Sequence, residues 1–161
     1  MSQAKPEYGV VPVETVLTMT GIELLNAMIA RQLPGPPIME LLDFTLTEVE
    51  NGRAVFEGVP QFKHYNPLGT VHGGYTATLL DSCMGCAVHT TLPKGIGYTT
   101  LEFKVSLIRA LTKDTGLVRA EGKVLNAGRR AATAEGRVTD SKGRLLAHAT
   151  TTCLIFDLPT N

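Results

Sequence analysis

The sequence lacks the features that mark several large protein classes. It has no net charge, with 15 basic and 15 acidic residues, whereas a domain that binds nucleic acid carries a clear basic excess. It has no apolar run near the roughly 18 residues that cross a bilayer. Its first ten residues have neither the basic start nor the apolar core of a secretory signal. We therefore expect no nucleic-acid partner and no membrane insertion.

Cysteines are few, and the motifs of two hydrolase chemistries are missing. The three cysteines are an odd number, which fits free thiols in a reducing cytoplasm better than a disulfide framework. Cys83 and Cys86 form a C-x-x-C pattern, but they lie too deep in a predicted helix for a redox pair, so we expect them to pack. The sequence contains no Gly-x-Ser-x-Gly elbow and no Cys/His spacing that gives four convergent metal ligands. We expect no metal site.

The 161 residues, of which 43% are hydrophobic, suffice for one domain with a real core. We predict an extended or flexible N-terminal segment over residues 1–17 and a single domain over residues 18–161. Apolar residues at helical spacing predict an amphipathic helix from Thr20 to Arg31, which the prolines of residues 34–37 end. Asn51-Gly52 is a strong hairpin signal.

Six strands and a second helix complete the predicted order. Strands are predicted over residues 40–50, 53–59, 100–107, 117–125, 130–138 and 145–156, and the second helix over residues 73–89. Strict alternation in the third strand places Leu101, Phe103, Val105 and Leu107 on one face. One long helix among antiparallel strands predicts an α+β domain in which the sheet wraps over that helix.

The second helix carries one acidic residue among small, apolar and hydroxyl side chains. That residue is Asp81, and a lone carboxylate on a buried helix is costly unless it is paired. It lies too far along the helix to be its N-cap. A polar contact at a subunit interface and a solvent-facing edge are two structural explanations, and isolated ionisable groups of this kind are also often functional.

The start of the same helix offers a candidate anion site. His72-Gly73-Gly74 supplies backbone N–H groups at the positive end of a helix, where an anion or a developing oxyanion is stabilised. The two glycines could equally serve only to permit a tight turn.

Gly73 and Asp81 are too far apart to act together within one chain. Eight helical residues span about 12 Å, whereas an oxyanion donor and a base must reach one reacting carbonyl. Two antiparallel copies could bring Gly73 of one chain to Asp81 of the other. If both residues are catalytic, the active unit is therefore a dimer with two equivalent sites.

The segment Asn66-Pro-Leu-Gly-Thr-Val-His72-Gly-Gly-Tyr-Thr-Ala-Thr-Leu-Leu-Asp81 resembles a family signature. It is similar to the pattern N-x(5)-H-G-G-x(6)-D of the hotdog-fold acyl-CoA thioesterases of the phenylacetic-acid-degradation (PaaI-like) type. The resemblance extends over roughly residues 21–156. It implies a hotdog fold, an antiparallel sheet wrapped around one long central helix with an additional N-terminal helix, assembled as a homodimer and often a homotetramer.

The resemblance also implies catalytic roles. Asp81 is expected to activate water or to act as the nucleophile, and the Gly73 N–H to polarise the thioester carbonyl. Asn66 is expected to position water or the thioester from the Gly73 side, and His72 to support the loop and, as a further role, the carbonyl. Thr100 falls where the family has a hydroxyl residue that hydrogen-bonds the catalytic water, and we prefer it to Thr99, which lies on the other strand face.

Substrate contacts are expected outside this catalytic set. Arg129 and Arg130 are candidates for phosphate contacts with CoA, although they could be ordinary surface charges. We expect the acyl pocket to draw on the first helix, Leu68, Tyr75 and Leu79. No cofactor is expected, since CoA is part of the substrate and a thioester is already activated toward a carboxylate-bound water.

Two other activities were weighed. Hotdog hydratases use an Asp-x-Asn-Pro-x-His arrangement, and here the window reads His64-Tyr-Asn-Pro-Leu-Gly69, without the acid or the base. A non-catalytic acyl-CoA-binding or sensor module is the alternative from another class, and turnover separates it from an enzyme. The sequence favours a cytoplasmic, homo-oligomeric acyl-CoA thioesterase.

Overall fold

The structure is a computed structural model, which describes residues 7–159. Residues 1–6 of the predicted N-terminal segment and residues 160–161 of the predicted domain lie outside the described residues. The helices are α1 (Val13–Leu17), α2 (Gly21–Ile29), α3 (Pro37–Leu41) and α4 (Gly73–His89). The strands are β1 (Phe44–Glu50), β2 (Arg53–Gly58), β3 (Ile96–Leu107), β4 (Val118–Ala127), β5 (Ala131–Asp140) and β6 (Leu145–Asp157).

The strands form one antiparallel sheet that wraps around α4. Their order across the sheet is β1-β2-β4-β5-β6-β3, so β1 and β3 are its two edges. The apolar faces of α4 and of the sheet form the core, in which Leu79, Leu80 and Met84 have no exposed surface. The predicted α+β architecture, a sheet around one long central helix, is confirmed.

Helix α2 begins where the sequence predicts. The Thr20 side chain accepts a hydrogen bond from the Glu23 N–H, and the Glu23 carboxylate accepts one from the Thr20 N–H at 2.8 Å. This reciprocal capping box supplies acceptors for two backbone N–H groups in and beside the first turn of the helix. The predicted additional N-terminal helix is thus confirmed. Within the described part of the segment predicted as extended, residues Val13–Leu17 form α1.

The region before β1 differs from the prediction. Residues 40–50 were expected to be one strand, but Pro37–Leu41 form the short helix α3 and the strand begins only at Phe44. Pro37 occupies the first turn of α3, where proline fits because its missing N–H has no helical partner. The proline-rich stretch therefore starts a helix as well as ending one. Asp43, at a φ of 50°, then reverses the chain into β1.

Sheet and helix approach closely at a glycine. A Cβ atom added at Gly122 would lie 2.2 Å from the carbonyl oxygen of Cys83, which belongs to the α4 backbone. At Gly136 the nearest atom to an added Cβ would be Met84 Cγ, at 2.9 Å. Glycine at these β4 and β5 positions allows the sheet to close on the helix.

Strand β3 is longer than predicted and contains an irregularity. It begins at Ile96, and its pairing with β6 shifts register between Thr100 and Glu102. The Thr100 hydroxyl reaches α4, and the Leu107 side chain also approaches α4, at Gly73. Strict alternation would put these two residues on opposite faces, so the bulge brings both to the helix.

Candidate active site

The N-terminus of α4 is fixed by the loop before it. His72 is the N-cap, and its Nδ1 accepts a hydrogen bond from the Gly74 N–H at 2.8 Å. The His72 N–H donates to the carbonyl oxygen of His64 at 2.8 Å. Over residues 7–159, no hydrogen bond engages the Gly73 N–H. The predicted oxyanion donor is therefore available at the positive end of the helix.

His64 positions the loop before α4, and it was not among the site residues predicted from the sequence. Its ring is buried and stacks on Tyr75 with ring centroids 4.6 Å apart, while its Nδ1 accepts from the Gln61 N–H. Burial lowers the pKa of His64, and burial together with the charge of Asp43 raises the pKa of Tyr75 to about 12. Because the His64 carbonyl anchors His72, this buried stack holds the start of α4.

Asn66 shapes the loop that leads to His72. Its Oδ1 accepts from the N–H groups of Leu68, at 2.9 Å, and Thr70, at 3.3 Å. Its Nδ2 donates to the Thr70 hydroxyl at 2.9 Å. The polar atoms of Asn66 are thus engaged within the loop, an arrangement typical of an Asx turn.

The structure brings the Thr100 hydroxyl to the Asp81 carboxylate. The Thr100 hydroxyl donates to Asp81 Oδ1 at 2.9 Å, while the neighbouring Thr99 is exposed. Asp81 is half-buried, and no cation of the described chain lies within ion-pair distance of it. A carboxylate oriented by one hydroxyl, with no cation bound to it, can accept a proton or attack a carbonyl.

Gly73 and Asp81 lie on one uninterrupted helix. Their eight-residue separation corresponds to about 12 Å along the axis. A single protomer therefore does not bring the predicted oxyanion donor and the predicted base to one reacting group.

The predicted substrate contacts are spread over the molecule. Arg129 and Arg130 are exposed beside the β4–β5 turn and line a surface cavity of about 680 Å³, whose lining residues do not include Asp81 or Gly73. Leu68 is 90% exposed on its loop.

Of the predicted acyl-pocket residues, Leu79 is completely buried and Tyr75 is 4% exposed. None of Leu68, Tyr75 and Leu79 lines the cavities of about 630, 510 and 680 Å³.

Tyr98 and Cys86 lie near Asp81, and neither was among the site residues predicted from the sequence. Burial raises the pKa of Cys86 to about 12 and that of Tyr98 well above its usual value, and the charge of Asp81 adds to both shifts. Tyr98 precedes Thr100 by two residues and so shares its strand face. That spacing was the one available signal.

The described residues include neither a candidate metal site nor a membrane-spanning helix. Within residues 7–159, no cluster of three or more His, Cys, Asp or Glu side chains could hold a metal ion. No helix in the same range is long and apolar enough to span a bilayer.

Sequence comparisons match this chain to hydrolases. The family model of the Thioesterase superfamily matches residues 68–147. A Saccharolobus solfataricus protein named "Putative esterase" is 32% identical over 113 residues, which cover 70% of this chain and 78% of that protein. A Caenorhabditis elegans protein of the same description is 38% identical over 82 residues, 51% of this chain. The chain spans about half, 47%, of the length of this C. elegans relative.

Solved structures show the same fold. A "putative thioesterase, phenylacetic acid degradation-related protein" from Ralstonia eutropha is 27% identical, with a TM-score of 0.73 over 81% of this chain and 98% of that chain. A mutant of the phenylacetic acid degradation protein PaaI from Thermus thermophilus is 31% identical, with a TM-score of 0.66 over 73% of this chain and 97% of that one.

Proposed function

The chain belongs to the Thioesterase superfamily, and we propose that it hydrolyses an acyl-CoA thioester to the free acid and CoA. The observation that carries the proposal is the hydrogen bond from Thr100 to Asp81, the one acidic residue of a largely buried helix. The unengaged Gly73 N–H at the start of that helix supports it.

Asp81 supplies the base or the nucleophile. Thr100 occupies Oδ1, so Oδ2 is the oxygen that takes a proton from water while the water oxygen attacks the carbonyl carbon. In the nucleophilic alternative, Asp81 attacks the carbonyl carbon itself, and water then hydrolyses the resulting anhydride. In both routes the C–S bond breaks and CoA leaves as a thiolate, which takes up a proton from solvent.

The Gly73 N–H polarises the carbonyl and stabilises the oxyanion of the tetrahedral intermediate. A thioester is activated enough for these groups to suffice without a metal or cofactor. His72 caps the helix and Asn66 shapes the loop, so both hold the Gly73 N–H in place.

The proposed active unit is a homodimer, or a dimer of such dimers. Two antiparallel α4 helices bring Gly73 of one chain to Asp81 of the other, whereas within one protomer the two residues are about 12 Å apart along the helix. The open edge of β3 supports this assembly, since Leu101 is 59% and Leu107 57% exposed there. A long edge strand with apolar side chains is a template for pairing with another chain.

We assign the protein to the cytoplasm, with no nucleic-acid or membrane partner.

We assign the phosphate groups of CoA to the side chains of Arg129 and Arg130. One guanidinium group can donate two hydrogen bonds to two oxygens of the same phosphate. Both side chains are exposed, and no ion pair within the described chain engages them.

Release of free thiol from a panel of acyl-CoAs tests the function. We expect turnover by the native protein and a loss of kcat of about 10²–10⁴ in Asp81→Asn, with a similar KM and melting temperature. Asp114→Asn, at a carboxylate that is 77% exposed, is the matched control and keeps full activity. Thermal stabilisation by acyl-CoAs without thiol release would identify a binding module instead, and full activity in Asp81→Asn would remove the assignment of the base.

A further inference from the structure

An apolar cavity of about 630 Å³ lies beneath α2, between that helix, the N-terminal segment and the body of the domain. We refer to it as the α2 cavity. Every side chain that α2 contributes to its wall is apolar: Leu24, Leu25, Met28 and Ile29. Met39 of α3, Leu46 of β1 and Phe56 of β2 continue the apolar wall.

The opposite wall belongs to the elements that carry the proposed catalytic groups. It is formed by Cys86 and His89 of α4 and by Tyr98 of β3. Burial raises the pKa of Cys86 to about 12 and lowers the pKa of His89. Burial thus favours the uncharged form of both side chains, and this wall is compatible with an apolar ligand.

Tyr98 connects this wall to the Asp81 carboxylate. Asp81, Gly85 and His89 lie four residues apart along one face of α4. The Tyr98 ring lies against this face, because an added Cβ at Gly85 would be 2.9 Å from the ring and the His89 ring centroid is 5.3 Å away. Two residues farther along β3, Thr100 bonds Asp81. The cavity wall thus lies about one helical turn from the reacting carboxylate.

The size of the α2 cavity indicates a ligand larger than one ring. A dry cavity of about 150 Å³ lined by Leu, Ile and Phe accommodates benzene, and the α2 cavity has about four times that volume. It falls within the range of about 300–1,000 Å³ typical of small-molecule sites. A phenylacetyl group would leave most of it empty, whereas a linear chain of many methylenes would not.

We propose that the α2 cavity binds the tail of a long, unbranched acyl chain whose thioester lies at Asp81, with the Tyr98 ring at the passage between the two. This inference rests on the proposed thioester hydrolysis and names its substrate class. It places the acyl group between α2 and Tyr98, rather than at the fully buried Leu79 and the exposed Leu68.

A chain-length series of straight acyl-CoAs, with phenylacetyl-CoA for comparison, tests the proposal. We expect kcat/KM to rise about fourfold per methylene as apolar surface is buried, until the cavity is full. Met28→Trp places a bulky ring in the cavity and should reduce the ratio of kcat/KM for dodecanoyl-CoA to that for butyryl-CoA at least tenfold. Asn26→Trp, at an exposed position of the same helix, is the matched control. If Met28→Trp folds poorly, Ile29→Phe makes a smaller change in the same wall.

The outcomes separate this inference from the proposed function. Turnover of butyryl-CoA and dodecanoyl-CoA with equal kcat/KM, or identical profiles for Met28→Trp and Asn26→Trp, would overturn the acyl assignment and leave the thioesterase intact. Absence of thiol release from every acyl-CoA would overturn the function itself. In that case, fluorescence of a bound anthroyloxy fatty acid, lost in Met28→Trp but kept in Asn26→Trp, still identifies the cavity as an acyl site; equal binding by both variants overturns it.

Discussion

Among single residues, Gly73 offers a way to remove one N–H while keeping the helix. Proline fits the first helical position, and His72, with φ −61° and ψ 134°, already has the extended conformation that a following proline requires. We expect Gly73→Pro to lower kcat by about 10²–10³, the effect of losing one oxyanion donor.

Gly73→Ala is the control for this variant. Its added Cβ would meet only Leu107 Cδ1, the end of a flexible side chain, and the N–H remains. We expect it to retain kcat within about tenfold of the native protein, since the oxyanion donor is intact. Steady-state thiol release at matched folded concentrations compares the two variants. Equal kcat in both would mean that the Gly73 N–H takes no part in the reaction.

Thr100 acts at the same scale, through the orientation of Asp81. Its hydroxyl makes a hydrogen bond to a charged group, which contributes about 1.5–3 kcal/mol. Thr100→Val should therefore reduce kcat by roughly 10- to 100-fold with little change in KM, and Thr100→Ser should recover most of it. Thr99→Val, one residue away and exposed, should leave kcat unchanged. A larger loss of kcat in Thr99→Val than in Thr100→Val would assign the role to Thr99 instead.

The proposed catalytic residues show what a sequence can reveal at this scale. Asp81 is conspicuous because it is a lone acid on an apolar helix, whereas its hydrogen bond from Thr100 depends on how β3 packs against α4. Leu68 is exposed on its loop whereas Tyr75 and Leu79 are buried on α4, a difference that depends on tertiary packing and that the sequence does not reveal. The wall residues of the α2 cavity are apolar like those of the core, so no sequence pattern separates the two.

Among the secondary-structure elements, α4 was predictable and α3 was not. A run of mainly small, apolar and hydroxyl residues after Gly73-Gly74, with Asp81 as its one acid, indicates a buried helix, and the structure has it over the predicted residues. The short α3 begins at Pro36-Pro37 and buries Met39. The prolines were expected to end a helix and residues 40–41 to begin a strand, so the sequence pattern did not predict this helix. The bulge in β3 is a property of its pairing with β6, so alternation within one strand could not reveal it.

The fit of α4 against the sheet gives a prediction for this scale. In Gly122→Ala the new methyl group would meet the α4 backbone at Cys83, which cannot move without shifting the helix. We expect a loss of about 3 kcal/mol in unfolding free energy, the upper end for overpacked cores. Gly136→Ala should cost about 1 kcal/mol, because the flexible Met84 side chain can adjust. Urea unfolding of both variants measures the difference, and equal stability would contradict this close approach.

At the scale of the whole molecule, the proposed active site requires two chains. Leu101→Lys introduces a charge at the open edge of β3, where Leu101 is 59% exposed, and charged edge residues oppose strand pairing. We expect this variant to become monomeric in size-exclusion chromatography with light scattering and to lose activity. Leu41→Lys, at a position of α3 that is 70% exposed, is the control and should stay dimeric and active. A Leu101→Lys monomer with full kcat would contradict the shared site.

Subunit complementation tests whether the site is built from Asp81 of one chain and Gly73 of its partner. Asp81→Asn and Gly73→Pro are each prepared nearly inactive, then mixed under conditions in which subunits exchange. Half of the dimers formed are hybrids, and each hybrid has one intact site out of two, so the mixture should recover about a quarter of native activity. Activity that stays at the mean of the two separate variants, with exchange confirmed, would contradict a site shared between chains.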